Sequence, residues 1–311
     1  MSTFITSSLS DTKLEAAVNT VEAEVNLVED VSSPIIHVSI DLKFLDYGQD
    51  HIKSTRKLLD PFTNELFDLL EVYDGHGLNN CIDILRQLDT TEIIRTNLEP
   101  EVNIQQIIQC REPKMPYDSG STFSCAKIYS NRVECRSVGD SDIWVYKNGE
   151  RVYNSPPHNW SNLEEQERIR SFAKPLHDFI PTLLSPTKIR MDRSHKILWR
   201  KCSVQRLVFV PSQALGHRNI TGLAAAVHTV LFEPSDTIVV IIASDGFWDM
   251  IIPDDKDILC SATCALELGN LAEMRWRQEW DFVENHDNPD ETIKNTFDDF
   301  DDIAVGIYSK K

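Results

Sequence analysis

The chain has 311 residues, 41% of them hydrophobic, which is enough for one large domain or two small ones with a substantial core. Its formal net charge of −18 argues against non-specific binding to nucleic acid or to anionic membranes. That charge fits either ordinary solubility or a protein that concentrates carboxylates for cations. The seven cysteines are scattered and form no CxxC pair, so we expect reduced thiols in a cytoplasmic or nuclear protein. We expect neither a membrane-spanning helix nor a signal peptide, because no sufficiently long apolar run exists and the N-terminus lacks a basic stretch followed by an apolar one.

Residues 11–30 form the first predicted helix. Their apolar side chains recur at alternating steps of four and three, which places them on one face: Leu14, Val18, Val21, Val25 and Val28. This seam is too short to indicate a coiled coil. We expect it to pack on the same protein, and the alternative is a helix that binds a partner. The sequence therefore predicts an N-terminal tail and helix in residues 1–33 and one domain in residues 34–311.

The remainder of the chain is rich in predicted strands that follow one another without long helices, which is typical of antiparallel sheets. These strands cover residues 35–40, 52–59, 66–73, 123–129, 133–138, 143–146, 237–243 and 303–308. Asn148-Gly149 is a strong hairpin signal. A helix is predicted to open at Gly77, with an apolar face of Leu78, Ile82, Leu85 and Leu88. Further helices are predicted in residues 160–171 and in most of residues 256–280.

Two segments lack a clear pattern. Residues 172–202 carry three prolines and many basic side chains, and we interpret them as an irregular surface segment of the kind that often borders a substrate site. Residues 281–299 are strongly acidic and are predicted to form a loop.

Carboxylates stand at or beside several of the predicted strand ends. The residues concerned are Asp50, Asp74, Asp245, Asp301 and Asp302, and Asp140 and Asp249 are further candidates. Because strand ends are rigid, carboxylates there can be held at fixed spacing, and oxygen ligands suit Mg²⁺ or Mn²⁺ rather than zinc or copper. His76 lies two residues after Asp74 and can serve in acid–base chemistry. The hypothesis is a two-metal site with Asp74 between the ions. The alternative is a set of unrelated turn residues on different edges.

Six motifs recur in an order and spacing that resemble a known family. They are Val72-Tyr73-Asp74-Gly75-His76-Gly77, Ser119-Gly120-Ser121-Thr122, Val138-Gly139-Asp140-Ser141, Ala214-Leu215-Gly216, Ala243-Ser244-Asp245-Gly246-Phe247-Trp248-Asp249 and Asp301-Asp302. Together they resemble the metal-dependent protein serine/threonine phosphatases of the phosphatase 2C class. The resemblance covers residues 38–308.

The resemblance implies a fold, a reaction and the residues that carry it. The fold is of the α+β class, a central β-sandwich of two mainly antiparallel sheets with helices on both outer faces. The reaction is hydrolysis of phosphoserine or phosphothreonine in protein substrates by a water activated between two Mg²⁺ or Mn²⁺ ions. The resemblance also implies His76 as general acid, and we expect the protein to be a monomer. The expected metal ligands are Asp74, Asp245 and Asp301 for the first ion, Asp74, the Gly75 carbonyl and the waters near Asp50 for the second, and Asp140, Asp245 and Asp249 for a weaker third.

The sequence departs from the family at several positions. No arginine precedes the first acidic turn to bind substrate phosphate, and Lys43, Lys53 or Arg56 is predicted to substitute. A lysine offers a point charge where an arginine offers a planar fork, so phosphate would be oriented less well. Gln49, Gln213, His217 and Asp302 also stand where the family usually has other residues.

These departures leave alternatives to the phosphatase interpretation. The first is a catalytically weak or inactive relative that binds phosphoproteins or another partner. The second is a hydrolase of small phosphoesters. If the phosphatase interpretation holds, we hypothesise that the basic segment 172–202 flanks the cleft and steers phosphorylated segments towards it.

Overall fold

Two antiparallel sheets form the centre of the fold. The computed structural model describes residues 34–94, 98–159, 161–171, 177–179, 197–200, 206–209, 211–283 and 292–311. In chain order the strands are β1 (Ile36–Lys43), β2 (Asp50–Leu59), β3 (Leu66–Gly77), β4 (Ser119–Ser121), β5 (Phe123–Ile128), β6 (Arg132–Val138), β7 (Asp142–Lys147), β8 (Glu150–Asn154), β9 (His177–Phe179), β10 (Ile197–Arg200), β11 (Arg206–Phe209), β12 (Leu215–Gly216), β13 (Ala226–Leu231), β14 (Ile238–Ala243), β15 (Trp280–Val283), β16 (Thr292–Asn295) and β17 (Ile303–Lys310). The α-helices are α1 (Asn80–Arg86), α2 (Thr90–Ile94), α3 (Pro100–Arg111), α4 (Leu163–Ser171), α5 (Asp245–Trp248), α6 (Lys256–Cys260) and α7 (Ala265–Arg277).

The first sheet has the strand order β1-β17-β14-β7-β8, and the second has the order β12-β4-β3-β5-β6-β13 with β2 also paired to β3. All the pairings in both sheets are antiparallel. Two small sheets, β9 to β11 and β15 with β16, lie apart from them. Within the described part of the chain, no helix has both the length and the apolar character needed to cross a membrane.

The inner faces of the two sheets pack against each other. Side chains from the second sheet, among them Leu70 and Val72 of β3, share one buried cluster with Val240 and Ile242 of β14 in the first sheet. Successive residues of a strand point to opposite faces, so the residues between these belong to the outer faces. Burial on both faces explains why residues 66–73 and 237–243 are nearly continuous apolar runs.

Helices cover both outer faces of this sandwich. On the second sheet, Leu69 and Tyr73 pack with Ile82 and Leu85 of α1 and with Ile104 of α3. On the first sheet, residues of β14 and β17 pack with α5, α6 and α7; the buried contributors include Val239, Ile241, Phe247, Leu259, Leu268, Trp276 and Val305. The predicted α+β sandwich with helices on both outer faces is therefore confirmed.

Three local predictions are wrong. Strand β3 continues past Asp74 to Gly77, because residues 75–77 pair with β4. The following helix accordingly begins at Asn80, and Leu78 is 48% exposed instead of lying on the apolar face. The acidic segment 281–299 is not all loop, since β15 and β16 pair within and beside it. The predicted N-terminal helix of residues 11–30 lies outside the described residues, as does most of the basic segment 172–202.

Candidate active site

The pairing of the strands brings the acidic turns to one end of the sandwich. In the second sheet Asp50 lies directly opposite Asp74. In the first sheet Ala243 pairs with both Asp142 and Val305, so the ends of β14, β7 and β17 lie side by side. Asp245 follows Ala243 by two residues, Asp301 and Asp302 precede β17, and Asp140 precedes β7. The alternative of unrelated turns on different edges does not describe the structure.

Several of these carboxyl groups act on one another electrostatically. Burial and the charges of Asp245, Asp50, Asp301 and Asp140 raise the pKa of Asp74 well above its usual value. Burial likewise raises the pKa of Asp50, to which Asp301, Asp302 and Asp245 add, while a hydrogen bond from Ser244 opposes the shift. Like charges held together out of water favour the protonated forms unless cations lie between them. The arrangement is therefore one that a cation would stabilise.

Asp140 and Asp142 extend the cluster along the turn before β7. Burial and the charge of Asp245 raise the pKa of Asp140 well above its usual value. Burial raises the pKa of Asp142 to about 7, although a hydrogen bond from Ser155 opposes the shift. Asp142 was not among the predicted site residues, because nothing in its sequence position distinguishes it from a turn aspartate. The charges that most affect Asp140 are those of Asp245 and Asp142 rather than that of Asp249.

The donor set fits hard divalent cations in its chemistry. Asp50 is 2% exposed, and its Oδ2 is buried without a hydrogen-bond partner among the described residues. A buried carboxylate oxygen of this kind is suited to Mg²⁺ or Mn²⁺. Within the described ranges, however, no three side chains of histidine, cysteine, aspartate or glutamate stand close enough to form a ready-made metal site. The assignment of individual ligands therefore stays a prediction.

Hydrogen bonds from the second motif hold the part of β3 that carries Asp74. The Asp74 amide donates to Thr122 Oγ1 at 3.1 Å, and the Thr122 amide donates to the Asp74 carbonyl at 2.9 Å. The Thr122 and Ser141 hydroxyls lie 2.7 Å apart, which connects this part of β3 to the turn that carries Asp140. Gly75 donates to the Gln49 carbonyl at 3.1 Å, and a Cβ at Gly75 would lie 2.7 Å from that oxygen. Only glycine permits this close approach.

The first acidic turn is held by residues at which the sequence departs from the family. Asp302 accepts hydrogen bonds from the amides of Leu45 at 2.8 Å and Gln49 at 2.6 Å. The side-chain amide of Gln49 donates to the Gly77 carbonyl at 2.8 Å and to Asn79 Oδ1 at 2.6 Å. A glutamate at this position could not donate these bonds. The carboxamide of Gln49 and the carboxylate of Asp302 are thus both used in contacts within the protein.

Arg86 also supports the first acidic turn and was not predicted. Its Nη2 donates to the carbonyls of Gly48 at 2.5 Å and Asp50 at 3.2 Å, and its guanidinium lies 5.7 Å from the centre of the Phe44 ring. Because Arg86 is 36 residues from Asp50 and on a helix, no local pattern could associate the two.

Each residue predicted to bind substrate phosphate has other partners. Lys43 donates to Asn270 at 2.8 Å and forms ion pairs with Asp41 and Glu273. The Lys53 ammonium group donates hydrogen bonds to the carbonyls of Leu85 and Leu88, at the C-terminal end of α1. Arg56 forms an ion pair with Asp68 at 3.4 Å. These contacts do not support the phosphate-binding role predicted for Lys43, Lys53 and Arg56.

His76 faces a second histidine. Its Nε2 lies 2.7 Å from Nε2 of His217, and Nδ1 of His217 lies 2.6 Å from the Tyr117 carbonyl oxygen. Burial, together with the neighbouring His217, lowers the pKa of His76 well below its usual value. Burial lowers the pKa of His217 to about 4, and the Tyr117 carbonyl opposes the shift. The sequence drew attention to His217 only as a departure from the Ala-Leu-Gly motif, because the two histidines are 141 residues apart.

Comparison with known proteins supports the resemblance seen in the motifs. A family model described as Protein phosphatase 2C matches residues 43–174. The chain is 23% identical over 234 residues to "Probable protein phosphatase 2C 59" of Oryza sativa subsp. japonica, covering 70% of this chain and 65% of that protein. It is 20% identical over 248 residues to "Probable protein phosphatase 2C 11" of Arabidopsis thaliana, covering 71% and 61%. The chain therefore spans less than two thirds of the length of these curated relatives.

Solved structures share the fold. The serine-threonine phosphatase 2C from Toxoplasma gondii matches with a TM-score of 0.53 at 15% identity, covering 89% of this chain and 95% of that one. A sex-determining protein of C. elegans matches with a TM-score of 0.55 at 17% identity, covering 88% and 64%. At these identities the structural likeness is evidence for the fold alone.

Proposed function

We propose that this chain is a member of the protein phosphatase 2C family, whose model matches residues 43–174, and that it hydrolyses phosphoserine and phosphothreonine in proteins with the help of Mg²⁺ or Mn²⁺. The observation that carries the proposal is the cluster of Asp50, Asp74, Asp140 and Asp301 at one end of the sandwich. Burial and the negative charges of neighbouring aspartates raise the pKa values of Asp50 and Asp74. Such a cluster is electrostatically unfavourable without cations, and a purely structural role would not require it.

The proposed ligands follow the family motifs. Asp74, Asp245 and Asp301 would hold one ion, and Asp74, the Gly75 carbonyl and Asp50 would serve a second. Asp140, Asp245 and Asp249 would serve a third, weaker position. When bound, such ions lower the pKa of water and offset charge on a phosphoryl group.

The chain's own contribution is to hold these groups in place and to supply a proton. Thr122 holds both backbone polar groups of Asp74, and Asp302 holds the turn before Asp50. Rigid support of this kind is what a site needs to keep its carboxylates at working distances. His76 would donate a proton to the departing serine or threonine oxygen, which is too basic to leave readily without one.

A second candidate function is a catalytically weak or inactive module that binds phosphoproteins or another partner. The contacts of Lys43, Lys53 and Arg56 favour this second candidate. These three cationic side chains bind Asn270, the Leu88 carbonyl and Asp68, and none of these partners belongs to the acidic cluster. A phosphatase without a well-placed cation for substrate phosphate would bind its substrate weakly.

Turnover measurements separate the candidates. The protein is assayed on a phosphoserine peptide and on p-nitrophenyl phosphate with Mn²⁺, with Mg²⁺ and with EDTA, beside Asp74→Asn and the exposed control Asp257→Asn. We expect metal-dependent turnover of both substrates that EDTA and Asp74→Asn abolish and Asp257→Asn leaves intact. Turnover of p-nitrophenyl phosphate alone would indicate a hydrolase of small phosphoesters. Binding of the phosphopeptide without turnover would indicate the binding module.

A further inference from the structure

The strand order explains how His76 and His217 meet. His76 in β3 pairs with Gly120 in β4, and Gly120 pairs in turn with Gly216 in β12. His217 follows Gly216, so its ring crosses β4 to reach His76. A Cβ on Gly120 would lie 2.0 Å from His217 Nε2, so the ring passes through space that only a glycine leaves open.

The backbone around His217 is unusual and firmly held. His217, Arg218 and Asn219 all have positive φ angles, of 46°, 51° and 61°. Three successive non-glycine residues in this region cost energy and persist only where their surroundings hold them. Gln105 Oε1 accepts from the Gly216 amide at 2.8 Å, and the Arg218 side chain donates to the Met115 and Lys114 carbonyls. These hydrogen bonds hold the strained backbone in place and thereby fix where the His217 ring lies.

The direction of the hydrogen bonds fixes which nitrogens carry protons. A carbonyl oxygen only accepts, so His217 Nδ1 carries the hydrogen of its bond to Tyr117. In a neutral imidazole the other nitrogen is then an acceptor. His217 Nε2 therefore accepts from His76 Nε2, which carries the hydrogen of the 2.7 Å contact.

The contact with His217 also decides which nitrogen of His76 can carry a second proton. Nε2 of His76 lies 2.7 Å from Nε2 of His217 and holds the hydrogen between them, so a second proton on the His76 ring would be carried by Nδ1.

From this chain of donors and acceptors we infer that His217 is a positioning residue, which holds the Nε2 hydrogen of His76 and leaves Nδ1 of His76 as the proton donor to the leaving group. The inference rests on the proposed phosphatase function. In the step, the oxygen of a water molecule bonds to phosphorus as the bond from phosphorus to the serine or threonine oxygen breaks, and the attacking water loses a proton to solvent. The Nδ1–H bond of the doubly protonated His76 breaks at the same time, and its proton bonds to the departing serine or threonine oxygen. The Nδ1–H electron pair stays on Nδ1. His76 is left neutral with its hydrogen on Nε2, the form that His217 accepts, and water returns the proton.

The first test reads the protons directly and needs no activity. Full-length protein with ¹⁵N-labelled histidine is studied by two-dimensional NMR in the presence of Mg²⁺, and His217→Gln identifies the His217 signals by their loss. We expect His217 to carry its hydrogen on Nδ1, the less common neutral form, and His76 to carry one on Nε2. A hydrogen on Nε2 of His217 would overturn the inference, whether or not the protein proves to be a phosphatase.

The second test uses a matched pair of variants. Gln and Met have similar size and meet the same backbone strain at position 217, but only Gln offers an oxygen that can accept from His76 Nε2. We expect His217→Met to slow turnover of a phosphoserine peptide by about 10–100-fold, the effect typical of removing a supporting partner, and His217→Gln to retain most of it. p-Nitrophenyl phosphate, whose leaving group needs no proton, should be affected little by either variant. Equal losses with both substrates, or equal losses in both variants, would show that His217 acts only through structure.

Discussion

At the scale of single residues, His76 combines a half-buried position with a defined partner, His217. Burial and His217 lower its pKa below the ordinary histidine value of 6.5. A general acid acts only in its protonated form, so its contribution is present at low pH and is lost as pH rises through that lowered value. We expect His76→Ala to slow phosphoserine peptides by about 10²–10⁴-fold and p-nitrophenyl phosphate much less, and to remove the fall in rate on the alkaline side of the profile.

The comparison of the two substrates across pH distinguishes this role from a structural one. If His76→Ala lowered both rates by one factor and left the shape of the profile unchanged, His76 would be positioning water or the acidic turn. Asp257→Asn, an exposed change on α6, is the control and should leave both rates and the profile as they are.

At the scale of elements, the start of β17 stabilises the turn that precedes β2. Asp302 is 1% exposed and uses both carboxylate oxygens to accept from the Leu45 and Gln49 amides. An asparagine keeps one accepting oxygen, so Asp302→Asn leaves one amide without its partner. We expect a loss of about 1–3 kcal/mol in the free energy of unfolding, measured by urea denaturation, with weaker Mn²⁺ binding because the Asp50 turn is less well held.

Asp254→Asn is the control for this measurement, because it removes one negative charge, as Asp302→Asn does, but at an exposed position. Its unfolding midpoint should stay close to that of the unmodified protein. A midpoint for Asp302→Asn that coincided with this control would show that the two amide bonds contribute little to holding the turn.

At the scale of the whole molecule, the gathered carboxylates link stability to pH and to metal. Burial raises the pKa of Asp50, Asp74 and Asp140, and neighbouring carboxylates add to the shift. In metal-free protein their stabilising contribution is therefore present below the ordinary carboxyl pKa and is lost as pH rises through the raised values. A divalent ion binds the ionised carboxylates and competes with protons.

We therefore expect Mg²⁺ to raise the melting temperature more at about pH 8 than at about pH 6. Ions present at about 100 times their dissociation constant would add about 2.7 kcal/mol to the free energy of unfolding. Comparing each pH with and without Mg²⁺ cancels the contribution of the buried histidines, whose lowered pKa values act in the opposite direction. Asp74→Asn should lose most of the gain, and a gain that did not depend on pH would contradict the role of these carboxyl groups.

Much of the architecture could be predicted from local patterns. Apolar runs in residues 66–73 and 237–243 indicated buried strands, and Asn148-Gly149 indicated the hairpin between β7 and β8, because strand burial and turn geometry depend on neighbouring residues. The end of β3 was misjudged because its last residues pair with β4, which is distant in sequence. The strands within 281–299 were missed for a related reason: the pairing of β15 with β16 outweighs an acidic composition.

The sequence alone determined the residue types of the site, namely oxygen ligands at strand ends and a histidine two residues from Asp74. Only the tertiary structure decided their partners. It placed Asp302 against the first acidic turn, Arg86 beneath it, and His217 against His76 across the bare backbone of Gly120. It also directed Lys43, Lys53 and Arg56 to other partners. The physical reason is that strand pairing sets these distances, and pairing depends on how two sheets bury their faces together rather than on spacing along the chain.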